Sequence, residues 1–303
     1  MLGAMWFPAP SAPVFNPGDQ TITERHPRYE DFTQDGRMTT LAIPPALATL
    51  WQIVLSHHEG ARNAAAAGVI PLLTRLTVQS HDRPVRVHRT VEAAVGFALA
   101  HDRDLAGEVA RLHLNVWADV RGIIGRGGPR EGPGGSERVL AGQAFAEHTF
   151  TRPFAAAGDR RVTSLAGIAG YPALPDTRYA APAPALAAEL PDGATWASAL
   201  TADAVDTVFT LDHTDANQHV NSLVYVRCFL DAVQRSMAAG GFPAKVRSKA
   251  FDIAYRKPSF VGERVRAHLR LFTVGEHVGG AGFIAAAGEE ARPRCYVRVM
   301  FGP

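Results

Sequence analysis

The sequence predicts an α+β fold made of two similar units in tandem, each a curved antiparallel sheet wrapped around one long central helix. Three observations predict it. Apolar residues recur at helical spacing in two stretches: Leu47, Leu50, Trp51, Val54 and Leu55, then Leu223, Val226, Leu230, Val233 and Met237. Such spacing marks a helix with one buried face. Each stretch precedes four strand-like segments joined locally, which implies antiparallel pairing. The order strand, helix, four strands then occurs twice, a structural repeat without strong sequence identity. Curling each sheet around its helix buries the apolar face of both.

Taken in order, residues 1–20 carry Pro8, Pro10, Pro13 and Pro17 and read as an extended arm laid on the surface. Residues 21–29 suit a first strand, followed by a polar loop. Pro44 and Pro45 open a helix that runs to about residue 67 and stops at Gly68. Strands are expected within 72–81, 85–101, 109–123 and 138–150. The glycine-rich segment 125–137 lacks the strand–loop–helix context and Lys-Ser/Thr ending of a phosphate loop, so it reads as a hairpin tip. These elements assign residues 1–151 to the first unit. Residues 152–204 are rich in Ala and Pro and lose periodicity; they read as an ordered crossing that Tyr171, Tyr179 and Trp196 can anchor. Residues 205–303 form the second unit: a strand over 205–214, a helix over 220–239 ended by Gly240 and Gly241, and four strands beyond it.

Of 303 residues, 47% are apolar and 20% charged, a globular composition, and the net charge of +2 gives no global field for nucleic acid. Two cysteines, Cys228 and Cys295, make no disulfide framework and fit a reduced cytoplasmic protein. The first residues lack a positive segment and are broken by prolines, and no apolar run is long enough to cross a bilayer. Neither a signal peptide nor a membrane span is therefore expected.

One stretch concentrates chemistry. In LDHTDANQHVNSLVYVRCFLD, residues 211–231, Asp215, Asn217 and His219 alternate just before the second apolar helix. In a near-extended segment, residues two apart share a face, so the three side chains converge; a turn would scatter them. An aspartate and an asparagine before a helix are equally the residues that cap its free N–H groups.

The pattern D-x-N-Q-H-V-N-x-x-x-Y, here Asp215, Asn217, Gln218, His219, Val220, Asn221 and Tyr225, resembles the motif of the acyl-ACP thioesterases of plants and bacteria. Those are double-hotdog proteins of the 4-hydroxybenzoyl-CoA thioesterase-like superfamily. They carry the motif in the C-terminal unit. The segment FDIAYRKPSFVGERVR, with Tyr255, Arg256 and Gly262, is similar to the strand that follows the helix in that family. The resemblance is detailed over residues 205–266 and elsewhere rests on element order.

It implies hydrolysis of an acyl thioester, acyl-ACP or acyl-CoA, with a place in fatty acid metabolism. It also implies Asp215, Asn217 and His219 as catalytic residues, with Val220, Asn221 and Tyr225 against the substrate. No metal or redox cofactor is implied, and a protein holding both units in one chain suits a monomer or a homodimer. One departure stands out: Pro258 occupies the position where the family has an acidic residue.

Chemically, hydrolysis needs an oxygen nucleophile, a holder for the developing oxyanion and an exit for thiolate. Asp215 can attack directly or hold a water as base. His219 can move protons near neutral pH, and Asn217 can orient the water. N–H groups opening the helix after Val220 can hold the oxyanion, a donor typically worth about 3 kcal/mol. Other thioester reactions stay open. An enoyl-thioester hydratase pattern sets histidine one residue further on, with proline where Gln218 stands, and fits less well. An acyltransferase, a decarboxylase or a non-catalytic acyl-binding module remains.

Setting Met38 against Val220 places Thr33, Asp35 and Arg37 opposite Asp215, Asn217 and His219, so the first unit is expected to lack the site. His57, His58 and Glu59 point apart on a helix, which disfavours a metal there; Glu59 alone is a weak candidate base. Arg247, Lys249, Arg256 and Lys257 on the strand after the second helix suit either a phosphate-bearing substrate or a solvated face. Cys228 reads as a small buried side chain.

Overall fold

The structure is a computed structural model that describes residues 5–125 and 136–303. The glycine-rich residues 126–135, expected at a hairpin tip, lie outside the described residues.

Twelve strands join in one sheet. They are β1 (Gln20–Arg25), β2 (Ile70–Ser80), β3 (Val91–Arg103), β4 (Val109–Ile123), β5 (Arg138–Thr151), β6 (Thr195–Trp196), β7 (Thr201–Ala202), β8 (Thr207–Val208), β9 (Arg247–Tyr255), β10 (Arg264–Val274), β11 (His277–Ala286) and β12 (Cys295–Gly302). The order is β1-β3-β4-β5-β2-β9-β12-β11-β10-β6, with β7 and β8 also on β10, and every named pair is antiparallel. The halves of the chain meet where β2 pairs β9, Arg75 opposite Ala254 and Gln79 opposite Ala250.

The second helix, α2 (Ser222–Ala239), buries Tyr225, Val226, Phe229, Leu230, Ala232, Val233 and Met237. These pack in one core with Phe251, Ile253, Val297 and Val299. Each such side chain withdrawn from water contributes roughly 1.5–3 kcal/mol as an upper estimate. The helix ends at Gly240, and Gly241 takes the left-handed conformation (φ 72) that a residue with a Cβ rarely adopts.

The first helix is not continuous. A 3-10 turn over Pro44–Leu47 leads into a π-helical segment, Leu50–Leu55. His58 is then extended and caps a separate helix, α1 (Glu59–Ala66), its Nδ1 accepting from Ala61 N at 3.3 Å. The break comes at His58, whose extended backbone (φ −71, ψ 122) ends the first segment. α1 rests on the crossing segment at Gly60, where a Cβ would lie 2.5 Å from Tyr171.

The strand expected over 205–214 is also corrected. Only Thr207–Val208 pairs, and Leu211–His213 forms a 3-10 turn.

Side chains alternate across a strand. On β9, Phe251 and Ile253 face α2, so Ala250, Asp252 and Ala254 face outward. That outer face is covered. Phe7 of the N-terminal arm is buried on it under Arg298, and Trp6 N–H donates to Gln79 Oε1 at 2.7 Å. Tyr179 of the crossing segment donates to Glu147 Oε2 at 2.8 Å, and Trp196 lies under Arg270. Between cover and sheet, fully buried Asp252 accepts from Arg75, Thr77 and Arg298.

Candidate active site

The motif residues lie on a tight loop between Thr214 and Val220, which form an antiparallel bridge. Asp215 N–H donates to His219 O at 3.2 Å, and Gln218 N–H donates to Asp215 O at 2.9 Å. Gln218 sits at φ 65, the one described non-glycine residue with positive φ. The near-extended conformation expected for this segment is therefore replaced by a turn. The side chains of Asp215, Asn217 and His219 make no hydrogen bond to one another among the described residues.

Instead Asp215 organises the loop and the helix start. Its Oδ1 accepts from Asn217 N–H at 2.9 Å, and its Oδ2 accepts from the Asn221 side-chain amide at 3.3 Å. Asn221 Oδ1 in turn accepts from Leu223 N–H at 2.9 Å. The helix thus begins at Ser222, two residues later than expected. Its cap is Asn221, steadied by Asp215, rather than Asp215 or Asn217 directly.

Val220 N–H donates to Ser259 O at 2.9 Å, and Ser259 N–H donates to the Tyr225 hydroxyl at 2.8 Å. Tyr255 donates to Ser222 O at 3.1 Å. Burial outweighs the Ser259 contact and raises the Tyr225 pKa. Half-buried His219 has Nδ1 3.3 Å from Val220 O. A proton on Nδ1 would leave Nε2 with a free lone pair. Asn217 is exposed.

The first half contains the same loop. Phe32 bridges Met38 as Thr214 bridges Val220. Thr33 N–H donates to Arg37 O, Gly36 N–H to Thr33 O, and Thr39 N–H to Asp31 O. These answer Asp215 to His219, Gln218 to Asp215, and Asn221 to His213. The expected pairing of Thr33, Asp35 and Arg37 with Asp215, Asn217 and His219 is the one these hydrogen bonds define. In the first copy Asp35 is tied to Thr33 and Arg37. Burial works to raise its pKa, but the Thr33 hydroxyl and the Arg37 guanidinium outweigh that and lower it.

Other predicted residues are dispersed. Lys257 pairs with Glu289 at 3.3 Å, whereas exposed Arg256 lines a cavity of about 220 Å³ with Arg75 and Arg111. Arg247 and Lys249 are buried against Asp82, which removes them as phosphate contacts and as a solvated face. His57, His58 and Glu59 line a larger cavity of about 520 Å³ beside Ile53 and Gly18. Neither cavity is lined by Asp215, Asn217 or His219. Among the described residues no group of three or more His, Cys, Asp or Glu could hold a metal. Cys228 and Cys295 are free, and burial raises the pKa of both thiols.

Sequence reasoning missed Ser259. It is fully buried, its backbone joins Val220 to Tyr225, and its Oγ has no partner. Its only signal was its place one residue after Pro258. Glu263, which contributes to raising the Tyr225 pKa, is paired with Arg294 at 3.0 Å.

A single antiparallel sheet with few helices fits a hotdog-type fold. No protein-family model and no curated protein sequence matches the chain. Solved structures do. A protein assigned as an oleoyl thioesterase from Lactobacillus plantarum matches with a TM-score of 0.62 at 16% identity, over 93% of this chain and 96% of that one. An acyl-ACP thioesterase from Bacteroides thetaiotaomicron gives 0.59 at 15%, over 93% and 97%. The 12:0-ACP thioesterase from Umbellularia californica gives 0.57 at 16%, over 94% and 97%. At these identities the likeness is one of fold.

Proposed function

We propose that the protein hydrolyses an acyl thioester, acyl-ACP or acyl-CoA, at the loop that opens α2. One observation carries the reading. The same hydrogen-bonded loop occurs twice, and only the second copy bears Asp215, Asn217 and His219 on a backbone held at positive φ by a non-glycine residue. Backbone strain of this kind gathers at functional sites. The likeness in fold to solved thioesterases supports the same reaction class.

In the proposed mechanism His219 Nε2 takes a proton from water, and the resulting hydroxide adds to the thioester carbonyl. Ser222 N–H at the positive end of α2 holds the oxyanion. Collapse expels thiolate, which recovers the proton from His219, leaving a free acid and a thiol. Both oxygens of Asp215 already accept hydrogen bonds, which favours an orienting role for it over direct attack. Asn217, on the exposed tip, orients the water. Val220, Asn221 and Tyr225 fix the floor, while Arg256 and Lys257 meet the charged carrier.

Residues 1–151 and 205–303 would then be two units joined by 152–204, the first without catalysis, in a cytoplasmic monomer or homodimer. β6 and β7 already belong to the edge of the second unit's sheet, on β10. Pro258 in place of an acid favours a second reading, a different thioester reaction at the same loop.

Free-thiol release across a panel of acyl-CoA and acyl-ACP substrates, with product masses, tests both. His219→Ala and Asp215→Ala are expected to lower kcat by about 10²-fold or more. Parent-like turnover by Asp215→Ala, or acyl products without free thiol, rejects hydrolysis at this loop.

A further inference from the structure

A second polar site lies on the outer face of the sheet; it is lined by none of Asp215, Asn217 and His219 and shares only Arg256 with the residues proposed to meet the carrier. The cavity of about 220 Å³ is lined by Arg75, Arg111, Arg256, Glu147, Thr74 and Thr149 beneath prolines of the crossing segment. It is smaller than the roughly 300–1,000 Å³ that encloses drug-sized ligands, and it suits a compact group.

Its charges are unbalanced. Arg75 is 4% exposed. Its Nε and Nη2 hold Asp252 at 2.8 and 2.5 Å, and its Nη1 is buried without a partner. A buried donor left unpaired is destabilising. Arg111 and Arg256 stand exposed at the cavity and enter no ion pair among the described residues. The one carboxylate in the lining, Glu147, is already engaged by Tyr179 at 2.8 Å and Thr74 at 2.5 Å. Counting Asp252 and the Arg298 that shares it, four guanidiniums stand against two carboxylates, an excess of two positive charges carried at the cavity by Arg111 and Arg256.

We infer that this cavity binds a phosphoryl group, the doubly charged oxyanion whose charge and geometry guanidinium forks match. The site requires binding only and stands whether or not the α2 loop hydrolyses thioesters. The group has two possible sources, free inorganic phosphate or the 3′-phosphate of coenzyme A.

Thermal unfolding of the full chain in sodium phosphate, against sodium chloride at equal ionic strength, tests the inference. The midpoint is expected to rise saturably with phosphate alone. Arg111→Gln and Arg256→Gln, both at exposed positions, are each expected to raise the half-saturating concentration about tenfold or more. Equal midpoints in the two salts overturn the inference, as does a phosphate response unchanged in both variants. A competition arm separates the sources. Displacement of phosphate by coenzyme A but not by dephospho-coenzyme A assigns a carrier-borne group, and displacement by neither assigns free phosphate. Thiol release measured on the parent and on Arg111→Gln, which has no part in the proposed hydrolysis, keeps this result separate from failure of the hydrolase reading.

Discussion

Gln218 is the residue on which the loop turns. A side chain in the left-handed region costs about 1–2 kcal/mol, while glycine loses roughly 0.5–1 kcal/mol in chain entropy on folding. Gln218→Gly is therefore expected to stabilise the protein by about 0.5 kcal/mol, read from urea denaturation at unchanged m-value. The first copy has already taken this solution, with Gly36 at φ 81. If the variant is instead destabilised, the glutamine side chain itself holds the loop. This residue also explains what the sequence concealed. Alternation of Asp215, Asn217 and His219 imitates an extended face, and nothing in glutamine announces positive φ. The signal was in the other copy, where TQDGRM aligned on DANQHV sets a glycine against Gln218.

At the level of elements, α2 and the long strands were legible because local pattern and tertiary burial agree. Val226, Leu230, Val233 and Met237 are apolar at helical spacing and all are buried. The first helix was not legible. Its apolar spacing is as regular, yet the backbone passes from a 3-10 turn into a π-helical segment, and extended His58 ends that run before α1 begins. The 205–214 segment failed for a different reason: the 3-10 turn at Leu211–His213 is held by the Thr210 N–H donating to His213 Nδ1 at 3.0 Å, a side-chain bond with no periodicity to read. The start of α2 yields a prediction at this scale. Asn221→Ala removes the acceptor for Leu223 N–H and the donor to Asp215 together. Loss of the cap is expected to cost about 1 kcal/mol in denaturant unfolding. Under the proposed function, thiol release falls further than Asn221→Asp, which keeps the cap acceptor, allows. Both variants lose the donor to Asp215, so equal activity in the two would show that the cap on Leu223 N–H contributes nothing to turnover.

Across the whole molecule, the packing of histidines into the sheet sets a pH dependence. His148 is buried on β5 with its ring 5.3 Å from Trp51 and its Nδ1 3.2 Å from Leu114 O. Burial lowers its pKa from 6.5 to about 4. Burial likewise lowers those of His81, His113 and His268. A histidine depressed in the folded state takes up its proton first in the unfolded chain. Stability from His148 is therefore complete above pH 6.5 and is lost as pH falls toward 4, by roughly 3 kcal/mol in all. Depressed carboxylates act lower. Asp35 and Asp82 fall below 3.8, so their contribution persists until pH drops beneath that value. Glu289 and Glu290, lowered from 4.5, act from that value downward, so the interval from pH 6.5 to 4.5 belongs to the histidines. His148→Gln keeps a donor for Leu114 O but cannot titrate, so its unfolding free energy is expected to decline less steeply than the parent's between pH 6.5 and 4. Parallel curves for parent and variant over that interval would place the acid sensitivity elsewhere in the sheet.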